Sequence, residues 1–375
     1  MPADDRKIPV EVNVARVAAL DTADDAAAAV LVRERDASLA IADETVPPSA
    51  KRLRIATYNI HKGVSAMSRK NRIHDLRAGL HALEADLVFL QEVQGRNDLH
   101  AERFDNWPDV AQHTFLAGDR WAEAAYGRNS VRTEGDHGNA LLSRFPMVAH
   151  ENIDISDHRF ESRGLLHCEF EVDGGSVHCI CAHLGLFEES RVRQADAMIA
   201  RIRSHVPSDA PLVIAGDFND WRHRLGRRLV ESLGVREVFS LIETRQETRR
   251  AALARRTSDY VQKQSARISD TMGAPFKVTA KSAAKIAAKV AAKAAATPAS
   301  PPASAAAGSG GRASRIANPA RTYPAGFPLL RLDRVYVRGF KIASAQVLSG
   351  PAWRKLSDHA PILAELVFDL EPVRE

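Results

Sequence analysis

The chain is poor in cysteine, with only Cys168, Cys179 and Cys181 in 375 residues. So few, and an odd number, exclude a disulfide framework. Cys179 and Cys181 form a CxC pair in an apolar run, where strand alternation puts both on one face, so they read as packed, reduced thiols. No Cys/His group has the spacing of a tetrahedral zinc site. No apolar run approaches the length that crosses a bilayer, which predicts no transmembrane segment. The N-terminus, MPADDRKIPVEV, is acidic where a secretory signal carries positive charge ahead of a hydrophobic run, and the chain reads as cytoplasmic. GxxxxGKS/T and a strand-linked GxGxxG are both missing, so neither familiar nucleotide cradle is supported.

Charge is present in both signs but is unevenly spread. Residues 245–321 carry fifteen Lys and Arg against three Asp and Glu, a net +12, and residues 1–50 carry five basic and ten acidic side chains, a net −5. The total is +5, which leaves −2 for the rest. The basic character is therefore local and does not argue for a nucleic-acid-binding surface on the folded part. With 45% hydrophobic and 26% charged residues, the chain has material for a sizeable globular core.

Residues 1–50 are Ala- and Asp-rich, weakly patterned and end in VPPSAKR, which reads as a disordered or loosely helical tail. The folding signal begins at Leu53. LRIATYN, DLVFLQE, GNALLS, LLHCEFEV, SVHCICAHL, PLVIAGDFN, LDRVYVRG and PILAELVF read as strands, and IHDLRAGLHAL, ESRVRQADAMIARIRSHV and RLGRRLVESL as helices. Several strands are apolar throughout, which predicts burial on both faces and helices layered over sheet. The stretch 245–321 breaks the pattern: Lys277, Lys281, Lys285, Lys289 and Lys293 recur every four residues among alanines, followed by TPASPPASAAAGSGG. It is a low-complexity insertion between 51–244 and 322–372, with two readings. One is a solvated linker; the other is an arm that binds nucleic acid or an anionic membrane, where bound anions relieve the lysine repulsion.

The buried strands carry polar groups at their ends: Asn59, Glu92, His183, then Asp217 and Asn219, with Asp358 and His359 just before the last strand. One such residue is a turn or a cap. Five strands ending this way predict a site where strand ends gather on one edge. Carboxylates and amides suit a hard divalent ion such as Mg²⁺, and histidines suit phosphate contact or proton exchange, so the residue types point to phosphoester hydrolysis.

The ordered set TYNIHKG, LQEVQ, GNALLSRFP, CAHLG, IAGDFND, LLRLDRVYV and SDHAPI resembles the endonuclease/exonuclease/phosphatase superfamily, over about residues 52–368 apart from the insertion. That superfamily includes deoxyribonucleases, repair exonucleases, sphingomyelinases and inositol polyphosphate phosphatases. The resemblance implies an α/β fold, a four-layered α/β/β/α sandwich of two mixed sheets of the deoxyribonuclease I-like kind. It also implies a Mg²⁺- or Mn²⁺-dependent site acting by in-line water attack on DNA or another phosphodiester. By the same resemblance Glu92 is the principal metal ligand, with Asn59 and Asp358 in support. Asp217 and Asn219 orient water and the scissile phosphate, His359 contacts the phosphate or moves a proton, Asp333 fixes His359, and His183 assists the leaving group. Whether His359 or Asp217 is the base stays open. His61 and Lys62 by proximity, and Arg144 and Arg191 by charge, are candidate phosphate contacts. A nuclease is the leading reading, an enzyme acting on phospholipids or inositol phosphates the alternative, and a non-catalytic nucleic-acid-binding module the third.

Overall fold

The first helix shows how the pattern becomes structure. In α1 (Ile73–Leu83) the spacing of Ile73, Leu76, Leu80 and Leu83 puts all four on one face, and all four are fully buried. Asn71 opens the helix by accepting a bond from the Ile73 amide at 3.0 Å, and Glu84 closes it in a left-handed conformation at φ 52°. A computed structural model describes residues 30–32, 40–42, 46–47, 49–65, 70–159, 161–240 and 320–369. The basic insertion, apart from Ala320 and Arg321, and most of the first fifty residues lie outside them.

Thirteen strands are found among the described residues. They are β1 (Ala40–Ala42), β2 (Leu53–Asn59), β3 (Leu87–Asn97), β4 (Glu123–Arg132), β5 (Gly135–Ser143), β6 (Met147–Asp154), β7 (Gly164–Val172), β8 (Gly175–His183), β9 (Leu212–Asp217), β10 (Arg236–Glu237), β11 (Asp333–Arg338), β12 (Phe340–Val347) and β13 (Ile362–Phe368). The further helices are α2 (Asp98–Arg103), α3 (Gln112–Ala117), α4 (Glu188–His205) and α5 (Leu225–Leu233). One sheet has the order β1-β12-β13-β2-β3-β5-β4, and the other β10-β11-β9-β8-β7-β6. Each is mixed, with β2 parallel to β3 and β8 parallel to β9 in otherwise antiparallel ladders.

Alternation along the strands divides the core. Ala56, Tyr58, Val88, Leu90, Ala140 and Leu142 of the first sheet join a cluster with the α1 side chains and Leu116 of α3. Ile180, Ala182, Leu212, Ile214 and Tyr336 of the second join Met198, Ile202 and Leu229 from α4 and α5. The intervening residues, among them Asn59, Gln91, Asn139, Cys181 and Asp217, belong to the opposite faces, and these faces meet. Gln91 donates across the junction to the Cys181 sulfur at 3.3 Å, and Asn139 donates to the Cys181 carbonyl at 3.3 Å. The result is the two-sheet sandwich with helical outer layers.

Three features depart from the sequence reading. Order begins upstream of Leu53, because Leu31 is buried in the first core cluster and Ala40–Ala42 pair with β12 as an edge strand. β3 does not stop at Glu92 but runs to Asn97 through a bulge. Leu90 opposes Ala140 while Val93 opposes Gly138, so one extra residue stands on β3. Strands β4 and β6 carry too little apolar alternation to be read beforehand, and β6, at a sheet edge, is mostly exposed.

Replacing Leu80, which is fully buried, with Ala removes a core side chain. Urea unfolding is expected to show a loss of about 2–5 kcal/mol. A second test concerns His167 on β7, whose Nε2 lies 3.2 Å from His178 Nδ1 on β8. Burial, then the neighbouring His178 and Arg201, hold the His167 imidazole down at about 4, against 6.5 when free. The folded chain thus resists a proton that the unfolded chain accepts. The stabilisation is complete above about 6.5 and is lost as pH falls through the interval down to about 4. Unfolding midpoints measured across that range should slope less in His167→Gln than in the parent.

Candidate active site

The ends of β2, β8 and β9 and the start of β11 come together at one edge of the sandwich, between the sheets. Gly216 sets the approach of β9 to β8: its φ is +148°, and a Cβ there would lie 1.9 Å from the Ala182 carbonyl oxygen. This close pairing places His183 beside Asp217 in register, while β11 places Asp333 opposite Asp217 from the other side.

Asp217 is 2% exposed and surrounded. Its Oδ2 accepts a bond from Asn59 Nδ2 at 3.1 Å and lies 3.6 Å from His183 Nε2 and 3.7 Å from His359 Nε2. Its Oδ1 accepts from the Asn219 amide at 3.0 Å. Burial raises its proton affinity above the usual carboxylate range, against the pull of His359. His359 Nδ1 is 2.8 Å from Asp333 Oδ2, an orientation that fixes the ring and leaves Nε2 facing Asp217. Burial alone would strip His359 of its proton, but Asp333 and Asp217 outweigh it and lift the imidazole well above 6.5. His183 goes the other way: burial and then Arg163 hold it neutral. The two histidines on Asp217 thus sit in opposite protonation states.

Glu92 stands at the β3 bulge with φ +56°. Its Oε2 is buried without a hydrogen-bond partner, and the Lys62 ammonium lies 3.7 Å away. Burial would raise this carboxyl, yet the imidazoles and Lys62 around it bring it well below its ordinary range. A buried carboxylate oxygen, ionised and lacking a donor, fits a hard cation. Asp217, Asp333 and His359 also offer ligand atoms within 4.8 Å of one another, a cluster suited to a divalent ion.

The remaining candidates separate into three groups. His61 and Lys62 are brought to the site on a short turn, His61–Gly63, with φ +45° and +59°, and His61 Nδ1 is 3.4 Å from Asp358 Oδ1. Asn219, at φ +50°, spends its side-chain amide on the Leu184 carbonyl at 2.9 Å. Arg144 is not brought here. It pairs with Asp86 at 3.2 Å, just before the first residue of β3 and away from the bulge that carries Glu92. Arg191 is 1% exposed and donates to the Gly185 and Leu186 carbonyls, so its charge holds the loop after β8.

Three positioning residues carried no sequence signal of their own. Gln112 on α3, 2% exposed, accepts from the Gln94 amide at 2.9 Å and donates to the Lys62 carbonyl at 2.9 Å, fixing the Lys62 turn against β3. Ser357 donates to the Asn59 carbonyl at 2.7 Å and accepts from the His359 amide at 3.3 Å. Tyr323 lays its ring 5.0 Å from that of His359. Only Ser357 stands inside a motif, directly before Asp358 and His359.

A carboxylate and imidazole cluster suited to a divalent ion, at the edge of a two-sheet α/β sandwich, is consistent with a metal-binding phosphoesterase type of site. Residues 56–359 match the model of the Endonuclease/Exonuclease/phosphatase family, and the chain belongs to that family. It is 34% identical over 315 residues to the uncharacterized protein YbhP of Escherichia coli K12, covering 84% of this chain and 95% of that one. Among solved structures it is similar to an endonuclease/exonuclease/phosphatase from Beutenbergia cavernae, with TM-score 0.53, 17% identity, and 86% of this chain and 73% of that one covered. It is likewise similar to the human Nocturnin catalytic domain with bound sulfate, with TM-score 0.52, 15% identity, and coverage of 87% and 100%. These two likenesses are of fold.

Because the Gly216 clash is with backbone, no side chain can yield. Gly216→Ala is expected to lower the unfolding free energy by about 1–3 kcal/mol or more in denaturant melts. A wild-type midpoint would show that β9 tolerates a wider spacing from β8.

Proposed function

We propose that the chain is a divalent-metal-dependent phosphoester hydrolase that uses water as the nucleophile. The observation that carries this reading is the buried Glu92 Oε2, without a hydrogen-bond partner, on the same edge as Asp217, Asp333 and His359. Glu92 would hold the ion with Asn59 and Asp358. When bound, it supplies Lewis-acid stabilisation of charge on the phosphoryl oxygens. Asp217, positioned by Asn59 and by the Asn219 amide, orients the water. The proton that water releases passes to the Asp217–His359 pair, whose Oδ2 and Nε2 are 3.7 Å apart. Asp333 holds the His359 ring so that its imidazolium can hydrogen-bond the phosphoryl group, and the neutral His183, 3.6 Å from the same Asp217 oxygen, can offer the leaving oxygen a hydrogen bond but not a proton. Lys62 offers a phosphate contact that is 39% exposed.

The nuclease reading draws on the basic insertion, which lies outside the described residues. A second reading, hydrolysis of a phosphoester carried by a lipid, is favoured by exposed apolar side chains around the mouth of the site, Phe187 and Phe327 at 67% and 71% among them. Both share the same chemistry.

Purified protein is expected to hydrolyse bis(p-nitrophenyl) phosphate with Mg²⁺ or Mn²⁺ and to stop when a chelator is added. Glu92→Ala and His359→Ala should each lose roughly 10²–10⁴-fold in turnover. Wild-type rates in both variants would remove the site from the chemistry.

A further inference from the structure

Twelve large apolar side chains stand exposed among the described residues. Six of them, Leu186, Phe187, Trp221, Phe327, Leu329 and Leu330, lie on just three loops. These loops leave β8 after His183, leave β9 after Asp217 and enter β11 before Asp333, so they form the rim of the site described above. Exposed apolar groups scattered singly need no explanation, but half of them on one rim do.

The rim is held in place. The buried Arg191 guanidinium binds the Leu186 carbonyl and lies 5.3 Å from the centre of the Trp221 ring, joining two of the loops. In the third, the Leu329 and Leu330 amides both donate to the Tyr323 carbonyl at 2.8 Å, and the Ala325 amide donates to the Asp358 carbonyl at 2.7 Å. Apolar side chains are thus fixed facing water on the same backbone that positions His359.

Their place dictates the occupant. A protein partner or a second copy covering this rim would close the site, so whatever covers it must also present the phosphoester. Beside Leu186 and Phe187 opens a cleft of about 290 Å³ that is also lined by Lys62, Arg132 and Arg163 against a single acid, Glu161, 3.9 Å from Arg163. Aliphatic and aromatic groups next to cations complement an anionic lipid surface, with acyl chains outside and phosphates at the interface. Phe187, Trp221 and Phe327 can stack on bases, but Leu186, Leu329 and Leu330 cannot, so the mixed set fits acyl chains better than nucleic acid.

We propose that this rim docks on an anionic lipid bilayer, inserting Trp221, Phe327, Leu329 and their neighbours, so that the site meets a phosphoester at the membrane interface. This rests on the hydrolase reading for the identity of the site, but docking is read without turnover. The full chain, kept in EDTA, is mixed with vesicles of phosphatidylglycerol and phosphatidylcholine brominated on its acyl chains. Bromine quenches only tryptophan that reaches the acyl region, and residues 241–319 contain no tryptophan, so attachment through them gives no signal. Expected are quenching in the parent, its disappearance in Trp221→Phe, and roughly tenfold weaker vesicle affinity in Phe327→Ser/Leu329→Ser at unchanged circular dichroism. Absence of quenching, quenching that persists in Trp221→Phe, or sedimentation with vesicles by charge alone would overturn the proposal. So would a Trp221 emission change caused by a single-stranded oligonucleotide and not by vesicles. Failure of docking would leave the hydrolase reading intact, and a failed hydrolase assay would leave the docking result readable.

Discussion

The hydrogen bond from Asn59 to Asp217 joins the two sheets at the point where the chemistry is assembled. One partner ends β2 in the first sheet and the other ends β9 in the second, and both are almost fully buried. A bond to a charged acceptor contributes about 1.5–3 kcal/mol, and an unmet buried carboxylate costs more. The bond therefore acts on structure and site together: it aligns the sheet edges and fixes Asp217 between His183 and His359. The neighbouring contacts follow from that alignment, since Asp333 reaches His359 only if β11 stays in register with β9.

Strain gathers at the same place. Seven non-glycine residues have positive φ among the described residues, and four of them, His61, Lys62, Glu92 and Asn219, belong to the site. Each costs of order 1–3 kcal/mol and persists only where its surroundings over-determine it. They do here. Gln112 grips the Lys62 carbonyl, the β3 bulge turns Glu92, and Asp217 and Leu184 bind Asn219 from both ends. The strained backbone is what releases Glu92 from strand alternation and leaves its carboxylate oxygen without a donor.

Much of this was legible in the sequence, and the limits are physical. Long apolar strands and the α1 face were readable because burial imposes their pattern directly. The polar ends of β2, β8 and β9 stood out because they interrupt that pattern. Edge strands β4 and β6 could not be read, because one-sided or exposed pairing imposes no alternation. The bulge at Glu92 was invisible because it depends on how β5 counts against β3. Arg144 and Arg191 were chosen on charge alone, and charge does not encode position: one pairs with Asp86 just before β3, and the other is buried holding a loop. Gln112 went unread for the converse reason. Its role is defined only once α3 packs beside the Lys62 turn.

Topology explains why the site lies at this edge. Among the described strands only β2 with β3 and β8 with β9 run parallel, one pair in each sheet. Parallel neighbours present their carboxyl ends on the same side, whereas antiparallel neighbours alternate ends. In the second sheet His183 and Asp217 end such a pair side by side, and in the first Asn59 ends β2 beside Gln91, next to the bulge of β3 that carries Glu92; stacking the sheets brings the two places together. The antiparallel β11 then enters from the same edge and adds Asp333 at its first residue. Loops leaving such an edge must cross the mouth of the site. Apolar residues on those loops gain nothing by packing inward, where the polar groups already occupy the interior. They therefore stay exposed on the rim.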